Sequence, residues 1–300
     1  MIITRVLNSY IPSAHFIRSS STAVCMSEKL KTVVENRFSV HPFSTGITAQ
    51  NRRPLMRNYL AMSQAFPYLQ AGSQKDLIFS IMEKNVDVPE DIEKTSVVGN
   101  FLSWDETGGN QLMLTKGIVA LPEILKTRHQ FHANLLKKDL KLLFQENVQP
   151  DYSAVTVTYL KELHKRLSSL DRLIRCSTMI GFEMHAYEMI TALWQSISAQ
   201  FQVGKEHLSY FQTHVGGEDP AEGYHVQMTE SLVKDLVLQG DEERFVNEFQ
   251  DSYALNINWC KALTYIEDKK DEIIFSRSSN RLGNQRDETL WERVESYEHL

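Results

Sequence analysis

The C-terminal half of the sequence places two histidines around an acidic segment. His214 and His225 flank this segment, and Glu222 precedes His225 by three residues. Residues three apart are neighbours on a helix surface, so this carboxylate and this imidazole would stand side by side. Glu-x-x-His is the spacing with which di-iron and di-manganese bundles present two ligands from one helix. Glu222 also suits a helix cap, because Asp219 and Pro220 are typical of a helix start, but capping leaves both histidines unexplained.

Two more ionisable residues fall on apolar helix faces. Glu183 lies in a stripe that includes Tyr187, and the helical wheel turns His185 away from that stripe. His132 lies on a leucine-rich face, and His129 on the edge of that face is its rival for the same role. A buried ionisable group costs several kcal/mol unless it is paired or binds a metal. Taken alone, Glu183 is equally well interpreted as a core residue that a neighbouring helix satisfies, and a lone buried His132 is more typical of a core histidine than of a ligand.

An acidic element ends an apolar segment earlier in the chain, at Asp105-Glu106-Thr107-Gly108. Glu106 alone is typical of a surface residue at a helix end. Glu and His together on four helices are, however, the ligand set that suits iron or manganese. Structural zinc would favour cysteine, and the three cysteines are far apart in the sequence. Asp139, near the face of His132, is predicted to be a hydrogen-bond partner rather than a ligand.

The elements that must position these residues are predicted to be helices. Apolar residues recur at spacings of three and four in six segments, whereas no alternating strand pattern is bounded by turns. The 300 residues contain only 13 glycines and 8 prolines, which favours long helices. We expect an all-α bundle of about seven helices in a single domain at 31–275, after an N-terminal extension (1–30) and before a polar tail (276–300). The six segments are 53–66, 73–85, 117–146, 155–203, 220–239 and 241–269, with a break at Pro67.

Composition excludes several classes of protein. The net charge of -6 provides no basic stripe for nucleic acid. No apolar run approaches the length of a transmembrane helix, so no membrane partner is expected. We expect a cytoplasmic protein. The segment from Met1 to Ser27 has no acidic residue, two arginines and six serines, which leaves organelle targeting or a disordered extension open.

From about Asn36 to Ile266 the chain resembles the heme-oxygenase-like di-iron oxidases and oxygenases, iron-containing redox enzymes with a TenA-like helical fold. The resemblance rests on a His41-Pro42 segment, the acidic-Gly element at Glu106, a His opening a leucine-rich helix (His132), a mid-helix Glu (Glu183) and a final motif with two histidines. Two features depart from the family pattern. Glu106 and His132 are 26 residues apart, so residues 110–130 would have to loop out. The final motif is stretched by four residues, which makes Glu218 an alternative to Glu222.

The resemblance implies a metal centre and a reaction. Two iron ions, or manganese in place of iron, would activate O₂ with electrons from an external reductant. The substrate would be a small organic molecule of amino-acid, amine or fatty-acid type. Glu183 and Tyr187 are the expected catalytic residues, although Tyr187 also suits simple packing. The implied metal ligands are Glu106, His132, Glu183, His214, Glu222 and His225.

Two other functions remain open from the sequence. One is a metal-free TenA-like enzyme, for which Cys176, near the stripe of Glu183, would be the catalytic thiol. The other is a helical interaction protein whose His and Glu residues form surface networks. Bundles of this kind are often homodimers, and the sequence leaves the oligomeric state open.

Overall fold

The architecture is all-helical, as the sequence predicts. The computed structural model describes residues 20–216 and 222–266, which form eleven α-helices, two 3₁₀ segments and no β-strand. The 3₁₀ segments span Ile118–Gln130 and Lys205–His207. The helices are α1 (Ser20–Arg37), α2 (Pro42–Gly46), α3 (Arg52–Lys84), α4 (Glu90–Glu106), α5 (Gly109–Lys116), α6 (His132–Phe144), α7 (Ala154–Leu167), α8 (Arg172–Phe201), α9 (Ser209–Val215), α10 (Glu222–Leu236) and α11 (Glu242–Thr264).

The predicted count of about seven helices is too low. Helices α2, α5 and α9 have five, eight and seven residues, too few turns for an apolar period to register. The segment predicted at 155–203 is two helices, because Asp171 starts α8 with its side chain accepting from the backbone N–H of Leu173. The segment predicted at 117–146 begins as a 3₁₀ segment, and only its second half is α6.

The predicted break at Pro67 is wrong. Pro67 is buried inside α3, which joins the two segments predicted on either side of it. A proline in a helix interior removes one backbone hydrogen bond. Burial around it offsets that loss, because the ring of Phe66 stacks on Phe182 of α8 with centroids 4.1 Å apart.

Helix α8 is the centre of the bundle, and α2, α4, α7, α9, α10 and α11 all pack against it. Gly181 lets α11 approach closely, since a Cβ there would lie 3.1 Å from Oγ of Ser252. Two turns further along the same face of α11, the Trp259 indole stacks on Tyr159 and on Tyr59. These contacts hold the middle of α8, where Glu183 lies, in a fixed position within the core.

The first helix crosses the predicted domain boundary at residue 30. Met26 and Leu30 of α1 are buried in the main hydrophobic core. The predicted polar tail at 276–300 and the first 19 residues of the predicted extension lie outside the described residues. Among the helices that are described, none combines the length and the apolar character needed to cross a bilayer.

Candidate metal centre

Five of the six predicted metal ligands can be placed with their side chains, and they come from five helices. Glu106 is the last residue of α4 and His132 the first of α6. Glu183 lies in the middle of α8, His214 in α9 and His225 near the start of α10. A cavity of about 280 Å³ is lined by all of these residues except His132, which lies against Glu106. The structure therefore brings residues separated by more than one hundred positions to one place.

Glu106, His132 and His214 form a compact group. Each offers one ligand atom, and these three atoms lie within 4.8 Å of one another. Nδ1 of His132 is 3.3 Å from Oε2 of Glu106, and the rings of His132 and His214 meet edge to face with centroids 4.6 Å apart. The imidazole of His132 is 2 % exposed, so this group is shielded from bulk water.

The chain between Glu106 and His132 loops out, as the sequence comparison required. Gly108, at φ +74°, ends α4 and starts the excursion, in a conformation that a residue with a Cβ rarely adopts. Helix α5 and the first 3₁₀ segment follow, and the chain then returns so closely that a Cβ on Gly108 would meet Cβ of Gln130 at 2.7 Å. The long sequence separation thus leaves Glu106 and His132 in contact.

A second group lies around His225. Its Nε2 is 2.7 Å from Oδ2 of Asp105, and its Nδ1 is 3.4 Å from Oε2 of Glu183. A proton on Nε2 donated to Asp105 leaves the lone pair of Nδ1 facing Glu183. A carboxylate that binds the outer nitrogen of a histidine in this way is typical of metal sites, where it holds the tautomer and the ring orientation.

Sequence reasoning missed Asp105 as a partner of the site. It is 1 % exposed, and its Oδ1 has no hydrogen bond to any described residue. The sequence could have indicated that Asp105 is buried, because Asp105 continues the series of buried positions of α4 at spacings of three and four. Those positions are Ile92, Thr95, Val98, Leu102 and Asp105.

Glu222 and Glu218 remain alternatives. Helix α10 begins at Glu222, but the side chain of Glu222 is outside the described part of the structure. Glu218 lies outside it altogether.

Three predictions on helix faces are corrected. His129 is exposed whereas His132 is buried, because residues 118–130 are a 3₁₀ segment to which the α-helical wheel does not apply. Tyr187 lines the cavity but is 62 % exposed, so it stands at the rim rather than in a buried stripe. His185 is buried, with its Nε2 3.1 Å from Nε2 of His41, because α8 is covered on more than one face.

Asp139 acts on the backbone of the helix that carries His214. Its two carboxylate oxygens accept the backbone N–H groups of Ser209 and Tyr210, each at 2.7 Å. These are the first two amides of α9, so Asp139 of α6 supplies the cap that α9 lacks in its own sequence. Burial raises the pKa of Asp139 to about 6, and the two amides oppose that rise.

Replacing Asp139 with alanine should loosen α9 and displace His214. Loss of a helix cap costs about 1–2 kcal/mol, so we expect the free energy of unfolding to fall by that amount in urea denaturation. The matched control is Asp251→Ala on α11, where the carboxylate is exposed. Equal stabilities of the two variants would contradict a capping role for Asp139.

The cavity beside these groups has mainly apolar walls. They are formed by Met62, Phe66, Phe182, Ala186, Met189, Ile190 and Val226. The hydroxyls of Tyr59 and Tyr210 meet at 2.8 Å on another wall, and the Tyr210 ring lies 4.4 Å from the ring of His214. The cavity could therefore hold a small organic molecule directly against the carboxylates and imidazoles.

The donor set fits iron or manganese. Neutral imidazoles and carboxylates at low exposure suit these ions, and the two groups provide both ligand types. Cys176, the residue on which a metal-free enzyme would depend, does not line this cavity. Burial raises the pKa of its thiol to about 12, which disfavours the thiolate that a nucleophile needs.

Comparison with known proteins supports the fold. No protein-family model matches the sequence, and no curated protein matches it at a significant level. The chain is similar to the crystal structure of a CADD-like protein of unknown function from Nostoc punctiforme, with a TM-score of 0.59 and 11% identity. The match covers 81% of this chain and 96% of the other. The likeness shows the fold alone.

Proposed function

We propose that this chain is a non-heme di-iron oxidase or oxygenase. It would use O₂ and electrons from an external reductant to oxidise a small organic substrate. The observation that supports this proposal is the convergence of Glu106, His132 and His214 beside Glu183 and His225 at one cavity. A core histidine with no ligand to bind needs one polar partner. These side chains instead come from five helices, and four of them line a cavity that could hold a substrate.

The residues divide into two sets of ligands. Glu106, His132 and His214 would hold one iron, and Glu183 and His225 would hold the other together with Glu222 or Glu218. Iron bound there supplies the electron transfer to O₂ that protein side chains alone cannot perform. Manganese in one position would use the same ligands.

The remaining residues have supporting roles. Asp105 keeps a proton on Nε2 of His225 and so presents Nδ1 to the metal side. The apolar walls at Phe66 and Phe182 orient the substrate and exclude water. Tyr187 stands at the rim, where it would contact a substrate that enters or leaves.

Metal content after anaerobic loading with ferrous iron tests this proposal. We expect about two irons per chain by mass spectrometry, together with an absorbance change on mixing with O₂. Parallel loading with manganese distinguishes a di-iron centre from a mixed one. His207→Ala is the matched control, since His207 is exposed at 67% and outside both groups. A folded wild-type chain that binds no iron and no manganese would overturn the proposal.

A further inference from the structure

A second cavity opens onto the same site. Its volume is about 450 Å³, and it shares Ser63 and Glu106 with the central cavity. Its walls come from α3, from the first 3₁₀ segment and from α6. Because the two cavities share these lining residues, they lie side by side.

The two cavities differ in charge. Arg128 and Lys137 line the second cavity, and neither forms an ion pair with any residue in 20–216 or 222–266. Lys116, by contrast, is paired, since its Nζ lies 2.8 Å from Oε2 of Glu123. Arg128 is exposed and Lys137 half-buried. The described walls of the central cavity carry carboxylates and histidines but no Lys or Arg.

Arg128 also belongs to a segment that is folded against the site. Its backbone oxygen accepts from Nδ2 of Asn134 in α6, and Phe131 beside it lines the same cavity. The 3₁₀ segment and α5 before it make up most of the chain between Glu106 and His132. The segment that loops out between Glu106 and His132 therefore also places Arg128 in the wall of the second cavity.

We propose that Arg128 and Lys137 form an anion subsite, which binds the carboxylate of an organic acid whose apolar tail occupies the central cavity. Glu106 lines both cavities, but the central cavity adds Glu183, whereas the second cavity adds Arg128 and Lys137. The balance of charge therefore favours a carboxylate in the second cavity. The tail then packs between Phe66, Phe182 and Met189 and places its carbon atoms beside the histidines. The inference deepens the proposed function, because it names the class of substrate, but the binding itself needs no metal.

Binding to the metal-free full-length chain tests the subsite. The probes are 4-phenylbutyrate, 4-phenylbutan-1-ol and 4-phenylbutylamine, which share a tail and differ in the charge of the head group. We expect calorimetry to show that the carboxylate binds most tightly. Charge-assisted hydrogen bonds to partly exposed cations predict roughly tenfold weaker carboxylate binding in Arg128→Ala/Lys137→Ala. Binding of the alcohol should stay within about twofold of wild type, because it depends on the tail alone.

The control variant is Lys126→Ala/Lys141→Ala, which removes the same net charge. Lys126 lies in the same 3₁₀ segment and Lys141 one turn further along α6, and neither lines the cavity. We expect this variant to bind the carboxylate like wild type. Equal losses in both double variants would indicate a general effect of net charge and would overturn the subsite. Tighter binding of the alcohol or the amine, or no carboxylate binding at millimolar concentration, would also overturn it.

Failure of this inference is distinguishable from failure of the proposed function. Iron content of Arg128→Ala/Lys137→Ala should equal that of wild type, because neither residue offers a ligand to the two groups. If wild type binds iron but not the carboxylate, the anion subsite is wrong and the proposed metal centre still stands. If it binds the carboxylate but not iron, the subsite stands and the proposed oxidase function is wrong.

Discussion

Replacing His214 with alanine is expected to remove one iron and nearly all O₂-dependent oxidation. His214 belongs to the group with Glu106 and His132, so the substitution leaves two of the three ligands that we propose for one ion. Even a partner outside the ligand set is worth 10–100-fold in metal affinity, so loss of a ligand should cost at least about 100-fold. His214 is not among the ligands proposed for the other ion, so that ion should remain bound. Metal content should therefore fall to about half that of wild type.

Two further variants separate a ligand from its support. Asp105→Asn leaves every proposed ligand in place but weakens the hold on His225, so iron in the second group should bind about 10–100-fold less tightly. His214→Gly with added imidazole should regain iron, because free imidazole can replace the lost ring. A His214→Ala chain that retains its full iron content would show that His214 is not a ligand.

The sequence was sufficient to predict the fold class and most long helices, because apolar residues at spacings of three and four report which surface is buried. Helices α10 and α11 begin and end within about five residues of the predicted segments, whereas α7 and α8 were predicted as one helix over 155–203. The same argument failed for residues 118–130. These residues were predicted as part of one helix over 117–146, but they form a 3₁₀ segment with three residues per turn rather than 3.6, and its Leu125 is 91% exposed.

In the candidate site, too, some features could be predicted from helical periodicity and others could not. Glu183 and His132 were identified from buried stripes, and both are buried. The contact of His225 with Asp105 joins α10 to α4 across 120 positions, and no local pattern carries that information. His185 was predicted to point away from the core because the helical wheel assumes a single buried face. Helix α8 is central and buries several faces, so its polar residues could not be assigned from periodicity alone.

The pairing of His41 with His185 has a further consequence, because His41 is neutral in the folded protein. Nδ1 of His41 accepts the backbone N–H of Phe43, so its proton lies on Nε2 and is donated to Nε2 of His185 at 3.1 Å. Burial lowers the pKa of His41 to about 4 from an ordinary value of 6.5. Burial, with His41 beside it, also holds the pKa of His185 well below its usual range.

Acid should therefore destabilise the fold well before carboxylates are protonated. Below pH 6.5 the unfolded chain takes up a proton at His41 and the folded chain does not, so stability falls as the pH drops from 6.5 towards 4. At pH 5 the contribution lost is about 2 kcal/mol relative to pH 7.5. Between pH 7.5 and pH 5, the free energy of unfolding of His41→Asn should therefore fall by about 2 kcal/mol less than that of wild type. Asparagine can still cap α2, but it does not titrate.

Urea denaturation at pH 7.5 and pH 5 measures this difference. His207→Asn is the matched control, since His207 is exposed at 67% and its substitution should leave the pH dependence of wild type unchanged. If His41→Asn and wild type lose the same stability between the two pH values, His41 is protonated in the folded protein and the hydrogen-bonded pair does not exist. If the variant loses about 2 kcal/mol less than wild type, burial of His41 limits the pH range in which α2 and α8 stay packed around the candidate metal centre.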